Sequence, residues 1–388
     1  MPNNIPRLRR AIFLSLYLVV IVSFGEVQSL IAGTIANHVQ LSTPLALKLA
    51  KDAVIWLAVL YFFICKRDRL NHTAIQIAWW GFVLLVGLSM TVSILNGESM
   101  MLSVAGLRWC APIFLFIGAI GVVTKADIAF MALIMRRLFL VHFALQLIEL
   151  FFAAPYFGLT PWGLNLRNPG IFVIPNTGGL FTVLAAFFCL NFSADKCGWR
   201  NKLMFIASAL LTASGTAIVS LIVIYFIHYA YKFRGFWLLF APLGLALALW
   251  VMSLAFSDIR GDNYLQASLG TRLEIIGSQM SDAGFISEAF GAATNTAFML
   301  GVDSARAADS TYASVLGNLG WAGFAVFILG MVYAFYISEK NKSRDLFMLL
   351  SFSMLAAFTS ILNEAYPFNF IMPILFAYYF SLRFTPSK

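Results

Sequence analysis

Long apolar runs separated by short polar clusters recur along the chain, and most of the runs are close to 20 residues long. About 20 apolar residues in a helix cross a hydrocarbon core of ~30 Å. The pattern predicts helical spans near 11–31, 44–64, 74–95, 104–123, 138–156, 173–192, 203–213, 214–231, 236–256, 311–336, 346–362 and 368–384. The expected architecture is all-α and polytopic: about 12 transmembrane helices, with a range of 10–12, in one integral membrane domain over 1–388. Arg7, Arg9 and Arg10 before the apolar run from Ala11 resemble the start of a secretory leader. Because many further spans follow, this run is expected to remain as an uncleaved first helix.

One run does not fit a single crossing. Residues 203–231 would form a helix of about 44 Å, longer than the core is thick. Both flanks are basic (Lys196, Arg200 and Lys202; Lys232 and Arg234), which requires an even number of crossings. Two short helices turning at Ser214-Gly215-Thr216 meet that requirement. Broken backbone at membrane depth is tolerated where protein or a cavity satisfies it. The alternative is one tilted span, which would invert every later loop and put Lys340, Lys342 and Arg344 outside.

Composition sharpens the class. Hydrophobic residues make up 61% of the chain and charged residues 11%, where a soluble domain carries about 25% charged residues. A soluble core of this length cannot bury so much apolar surface, so lipid is the solvent for much of it. The net charge of +9 lies mostly in short clusters between apolar runs, a pattern of cytoplasmic loops rather than of a nucleic-acid surface. The N-terminus, 65–73, 124–137, 193–202, 232–235, 337–345 and the C-terminus together hold 19 of the 26 Lys and Arg but five of the 17 acidic residues. The other face holds seven basic and twelve acidic residues. Both termini are therefore expected in the cytoplasm, with any chemistry on the opposite, periplasmic face.

Two outer loops are large, 157–172 and 257–310, and loops of such length are usually functional or disordered. In the second, Thr271-Arg-Leu-Glu274 is a capping-box sequence. Leu273, Ile276 and Met280 follow at helical spacing, as in a helix lying on a membrane surface.

The candidate chemistry is mainly arginine on a face where the charge bias disfavours it: Arg167, Arg272 and Arg306. A guanidinium matches phosphate oxygens in bidentate fashion and stays charged when desolvated, so the group suits a lipid diphosphate. Taken singly, each arginine is better explained by pairing with a loop carboxylate or a lipid headgroup, and Arg108 beside Trp109 is explained as well by snorkelling. Asp309 opens the run Asp-Ser-Thr-Tyr312 where the second loop re-enters the membrane. It could be a general base for an acceptor hydroxyl or simply the N-cap of the next helix. Glu274 fits the capping partner of Thr271, and Gly317, Gly320 and Gly323 fit close helix packing. His142 and Glu149, seven apart, lie roughly on one face of a span, and ionisable groups inside a membrane are functional candidates. Asp258 and Asp262 alone are too few for a cation site. The four histidines have no ligand spacing and the four cysteines no framework, so neither a protein-bound metal nor a structural disulfide is expected.

Several local patterns belong together. Arg167 and Gly178 are separated by ten residues, as are Arg306 and Gly317. Arg167-Asn-Pro-Gly170 with Pro175-Asn176, Thr212-Ala-Ser-Gly-Thr216, Gly270-Thr-Arg272 and Asp309-Ser-Thr-Tyr312 accompany them. With this organisation the chain resembles the O-antigen polymerase family of bacterial inner membranes, within the superfamily shared with O-antigen ligases. Ligases usually carry a histidine just before an Asn-x-Tyr-like segment at the last large loop. Here Ala308 and Asp309 stand there, which favours polymerase and leaves the ligase histidine without a counterpart. The resemblance implies an inverting, metal-independent glycosyl transfer with no cofactor. The growing glycan on undecaprenyl diphosphate is the donor, and an undecaprenyl-diphosphate-linked oligosaccharide repeat is the acceptor. It implies membrane lipid and a chain-length regulator protein as partners. Together with the reading of the residues, this makes Arg167, Arg272 and Arg306 the expected diphosphate ligands and Arg272 and Asp309 the expected catalytic residues, while the resemblance itself does not identify the base. An O-antigen ligase, and a lipid-linked glycan flippase or secondary transporter, are the alternatives.

Overall fold

The computed structural model describes residues 45–65, 73–97, 107–151, 168–172, 175–193, 197–231, 289–291, 310–360 and 365–384, with Met100 and Leu362. Among these the chain is all-helical, with no strand. In order the helices are α1 (Leu45–Cys65), α2 (Thr73–Leu95), α3 (Ala111–Ala119, preceded by the 3-10 turn Leu107–Cys110), α4 (Lys125–Phe151) and α5 (Pro175–Phe192). They continue with α6 (Trp199–Leu211), α7 (Gly215–Ala230), α8 (Thr311–Lys340), α9 (Arg344–Thr359) and α10 (Phe368–Phe384). Four of them are long and apolar enough to cross a membrane: α2 from Ile75, α4, α5 and α8. The expected spans 11–31 and 236–256 lie outside the described residues.

The described helices follow the apolar runs with one large departure. The stretch 124–137, expected as a cytoplasmic loop, is helix from Lys125 onward, so α4 has 27 residues. Its basic residues misled because they sit on the exposed side of the helix, while Asp127 is buried. Arg136 and Arg137 are exposed, while Ile128, Met131, Met135, Leu138 and Phe139 are buried at helical spacing beneath them.

The run 203–231 is two helices, α6 of 13 residues and α7 of 16. They fold back on each other. The Tyr225 hydroxyl donates to the Lys202 carbonyl at 3.4 Å, and the Lys202 ammonium to the Tyr229 hydroxyl, so the start of α6 lies beside the end of α7. At the turn Ala213 takes φ +47°, a left-handed conformation costing a non-glycine residue about 1–2 kcal/mol. The Thr212 hydroxyl bonds the Ala209 carbonyl at 2.8 Å, and Ser214 caps α7 by accepting from the Ala217 N–H.

α8 is broken at Gly320, which has φ 61° and ψ −163°. The glycines expected to permit packing thus include one that interrupts the helix. A side chain on Gly323 would fall 2.0 Å from the Leu319 Cβ, so this glycine belongs to the break itself.

By its contacts the chain divides into two compact units, 1–54 with 125–264 and 347–356, and 55–124 with 265–346 and 357–388. In the first, α5 is buried along nearly its whole length and packs against α4, α6 and α7. In the second, α3 packs on α10 and α2 on α8. Phe114 there meets Trp56, Trp79 and Phe82 at ring separations of 6.2, 4.8 and 5.0 Å.

Candidate functional site

Arg167, Arg272, Arg306 and Asp309 all lie outside the described residues, as do Asp258, Asp262 and the 271–280 segment. The chain immediately after two of them is described: Asn168 follows Arg167, and Ser310 follows Asp309. In both places non-helical backbone is fixed by hydrogen bonds, one set in each unit.

The first anchor grows out of α4. His142, Gln146 and Glu149 follow at spacings of four and three, which puts them on one helix face. His142 and Gln146 are fully buried and Glu149 is 3% exposed. Against this face lies the segment Asn168-Pro169-Gly170-Ile171-Phe172, also buried. Every N–H it owns is used. Asn168 donates to the Leu211 carbonyl at 2.9 Å, Gly170 to Glu149 Oε2 at 3.0 Å, Ile171 to His142 Nδ1 at 3.3 Å and Phe172 to the Pro169 carbonyl at 3.2 Å. Pro169 has no N–H to satisfy.

The bonds have a direction. With Nδ1 accepting from Ile171, the neutral imidazole carries its proton on Nε2, which faces the Thr182 hydroxyl at 3.4 Å. The Thr182 and Ser208 hydroxyls are 2.8 Å apart, and Ser208 donates to Gln146 Oε1 at 2.6 Å. The single Thr182 proton has two acceptors in reach, the Ser208 hydroxyl and the Gly178 carbonyl at 3.1 Å. The Gln146 amide donates to the Asn168 carbonyl at 3.0 Å and the Ser208 carbonyl at 3.3 Å. The chain from His142 through Thr182 and Ser208 to Gln146 thus ends on the backbone beside Arg167.

Glycines make room for it. Gly170 has φ +64°, and a Cβ there would sit 2.4 Å from His142 Nδ1. On Gly178 a Cβ would sit 2.6 Å from the Pro169 carbonyl oxygen, and on Gly179 2.5 Å from the Ala217 Cβ. The Ser214 hydroxyl bonds Asn176 Oδ1 at 2.8 Å, which brings the N-terminal ends of α5 and α7 together. Such ends carry partial positive charge.

The second anchor lies at the start of α8. The N-cap position is held by Ser310, not by Asp309. The Ser310 hydroxyl does not cap but donates to the Ala357 carbonyl at 3.0 Å. Thr311 donates twice to the Ser360 carbonyl, through its N–H at 3.1 Å and its hydroxyl at 2.7 Å, and its hydroxyl accepts from the Leu362 N–H at 2.8 Å. The start of α8 is thereby fastened to the end of α9. Farther along α8, the Ser89 hydroxyl donates to the Asn318 carbonyl at the break. Gly291 of the second large loop packs so closely there that a Cβ would meet the Gly320 nitrogen at 2.5 Å.

Sequence reasoning paired His142 with Glu149 but passed over Gln146, Thr182 and Ser208. The signal was available for Gln146, which stands four residues after His142 on the same face. Arg108 lies in the 3-10 turn before α3, partly exposed. Among the described residues no group of three or more His, Cys, Asp or Glu could hold a metal. No protein-family model, curated protein or solved structure matches the chain.

Proposed function

We propose that the protein is a polysaccharide polymerase of the bacterial inner membrane, joining undecaprenyl-diphosphate-linked repeat units into O-antigen or a related surface glycan at the periplasmic face. The observation that carries this reading is the anchor next to Arg167. A guanidinium that stabilises a departing diphosphate must be held in place before the reaction, because preorganisation is what lowers the barrier. Asn168, one residue on, is tied by its N–H to Leu211 and by its carbonyl to Gln146. In this reading Arg167, Arg272 and Arg306 neutralise the diphosphate, and Asp309 takes the proton of the acceptor hydroxyl. The donor is already activated, so no nucleotide is needed.

A second reading has its own support. Buried His142 and Glu149 within one apolar helix, packed against the first helix of the α6–α7 reversal, are also features of transporters and flippases. Lipopolysaccharide from a deletion strain separates the cases on a gel. Single repeat units on lipid A-core are expected for a polymerase. Polymer retained on undecaprenyl diphosphate with none on the core means a ligase, and loss of translocated repeats means a flippase.

A further inference from the structure

The Cys189 and Cys197 sulfurs lie 2.7 Å apart, closer than two sulfurs rest in van der Waals contact, and both are free thiols. Cys189 is in the last turn of α5, and Cys197 stands in the connection just before α6. Neither takes part in the hydrogen bonds around His142. The Asn201 amide lies 3.9 Å from the Cys189 sulfur, and the positive charges of Arg136 and Lys202 act on both thiols. Lys202 holds its proton above the usual range for lysine, chiefly through its hydrogen bond to the Tyr229 hydroxyl. Hydrogen bonding to Cys189 and burial hold the Cys197 thiol above its usual range, with the two cations opposing them; the thiolate is the nucleophile of disulfide exchange. Cys197 is only half-buried, so a small reagent can reach the pair.

We propose that Cys189 and Cys197 are a redox-reactive dithiol that closes to an intramolecular disulfide when a low-molecular-weight disulfide, such as oxidised glutathione, is the oxidant. One thiolate attacks the small disulfide, forms a mixed disulfide and expels a glutathione thiolate. The other thiolate attacks the mixed disulfide, forms the Cys189–Cys197 bond and expels the second glutathione. The two protein thiol protons end on the two released glutathiones, and two electrons pass from the protein to the oxidant. The bond ties the end of α5 to the start of α6, the helices that carry Thr182 and Ser208. Oxidation therefore clamps the two hydroxyls that link His142 to Gln146. The proposal stands independently of the glycosyl-transfer reading.

The test uses the full chain in native membranes, treated with oxidised glutathione or with dithiothreitol, then denatured and reacted with maleimide-polyethylene glycol. With four cysteines in the chain, the reduced protein should carry four adducts and the oxidised protein two, with dithiothreitol restoring four. Peptide mapping of the oxidised wild type should find the 189–197 crosslink, and Cys189→Ser or Cys197→Ser should abolish it. Four adducts after oxidation, or a loss of two without that crosslinked peptide, overturns the proposal. The mapping is made on wild type, so poor folding of a variant does not blunt it.

Discussion

Arg167 and Asp309 each stand one residue outside a hydrogen-bonded anchor, and the two anchors are built from different chemistry. Beside Arg167, the partners are an imidazole, a carboxamide and a carboxylate from one face of α4, extended by two hydroxyls from α5 and α6. Beside Asp309, the partners are two hydroxyls and the carbonyls at the end of α9. The first arrangement commits bulky polar side chains to the interior, where each costs free energy unless fully bonded. The second does the same mechanical work with small groups. The difference teaches where precision is being maintained at expense: in the segment following Arg167.

The largest effect is expected at the cheaper anchor, because Asp309 is assigned proton transfer. Asp309→Asn should slow repeat-unit addition by about 10²- to 10⁴-fold, measured with purified protein in detergent and lipid-linked substrate. Ser310 holds the cap position, so the substitution has no N-cap to lose. Near-normal activity would strip the second anchor of chemistry and leave the first alone. Arg167→Ala should follow, at about 10²- to 10³-fold, with Arg167→Lys impaired in part because lysine lacks the planar fork. Polymer of normal length at normal protein level would remove Arg167 from the site.

Gly170→Ala probes the first anchor without touching a charge. Its positive φ and the contact with His142 Nδ1 should cost about 3 kcal/mol, read as a lowered thermal midpoint in detergent. Two of the three nearest atoms belong to the imidazole ring, so Gly170→Ala should cost less in a His142→Ala background than in wild type. Equal costs in the two backgrounds would show that the ring is not the obstacle. A last pair of substitutions sets the two anchors side by side. Gln146→Leu strands the Asn168 and Ser208 carbonyls and the Ser208 hydroxyl, and should cost about 2–4 kcal/mol. Thr311→Val leaves the Leu362 N–H as its main loss and should cost about 1–2 kcal/mol. Equal costs would erase the distinction between the anchors.

How much of this was legible follows from what each signal depends on. Apolar run length depends on lipid alone, so the positions of α1, α2, α5, α8, α9 and α10 could be read directly. The start of α4 could not, because a window that averages charge ignores which face carries it. The α6–α7 reversal was readable from the charges at its two ends. The pairing of His142 and Glu149 was readable from spacing, whereas Thr182 and Ser208 join it only through packing of separate helices, and hydroxyls in apolar runs carry no mark. The Gly320 break was misread since glycine serves packing and backbone reversal alike. The nearness of Cys189 to Cys197 depends on how α5 meets α6, which no local pattern records. Of the residues expected to do chemistry, the neighbours of Arg167 and Asp309 are now located.

The α6–α7 hairpin has a consequence for how the chain is made. Its helices, about 20 and 24 Å long, are each too short to enter a membrane as an independent span. If the hairpin is seated in a membrane, its two helices enter as a pair with the Thr212-Ala213-Ser214 turn leading. By then α4 and α5 have already been synthesised, since they precede the hairpin in the chain. Asn168, Asn176 and Gly179 are thus synthesised before Leu211, Ser214 and Ala217, which meet them in the folded chain. The polar turn finds its partners in segments that precede it in translation.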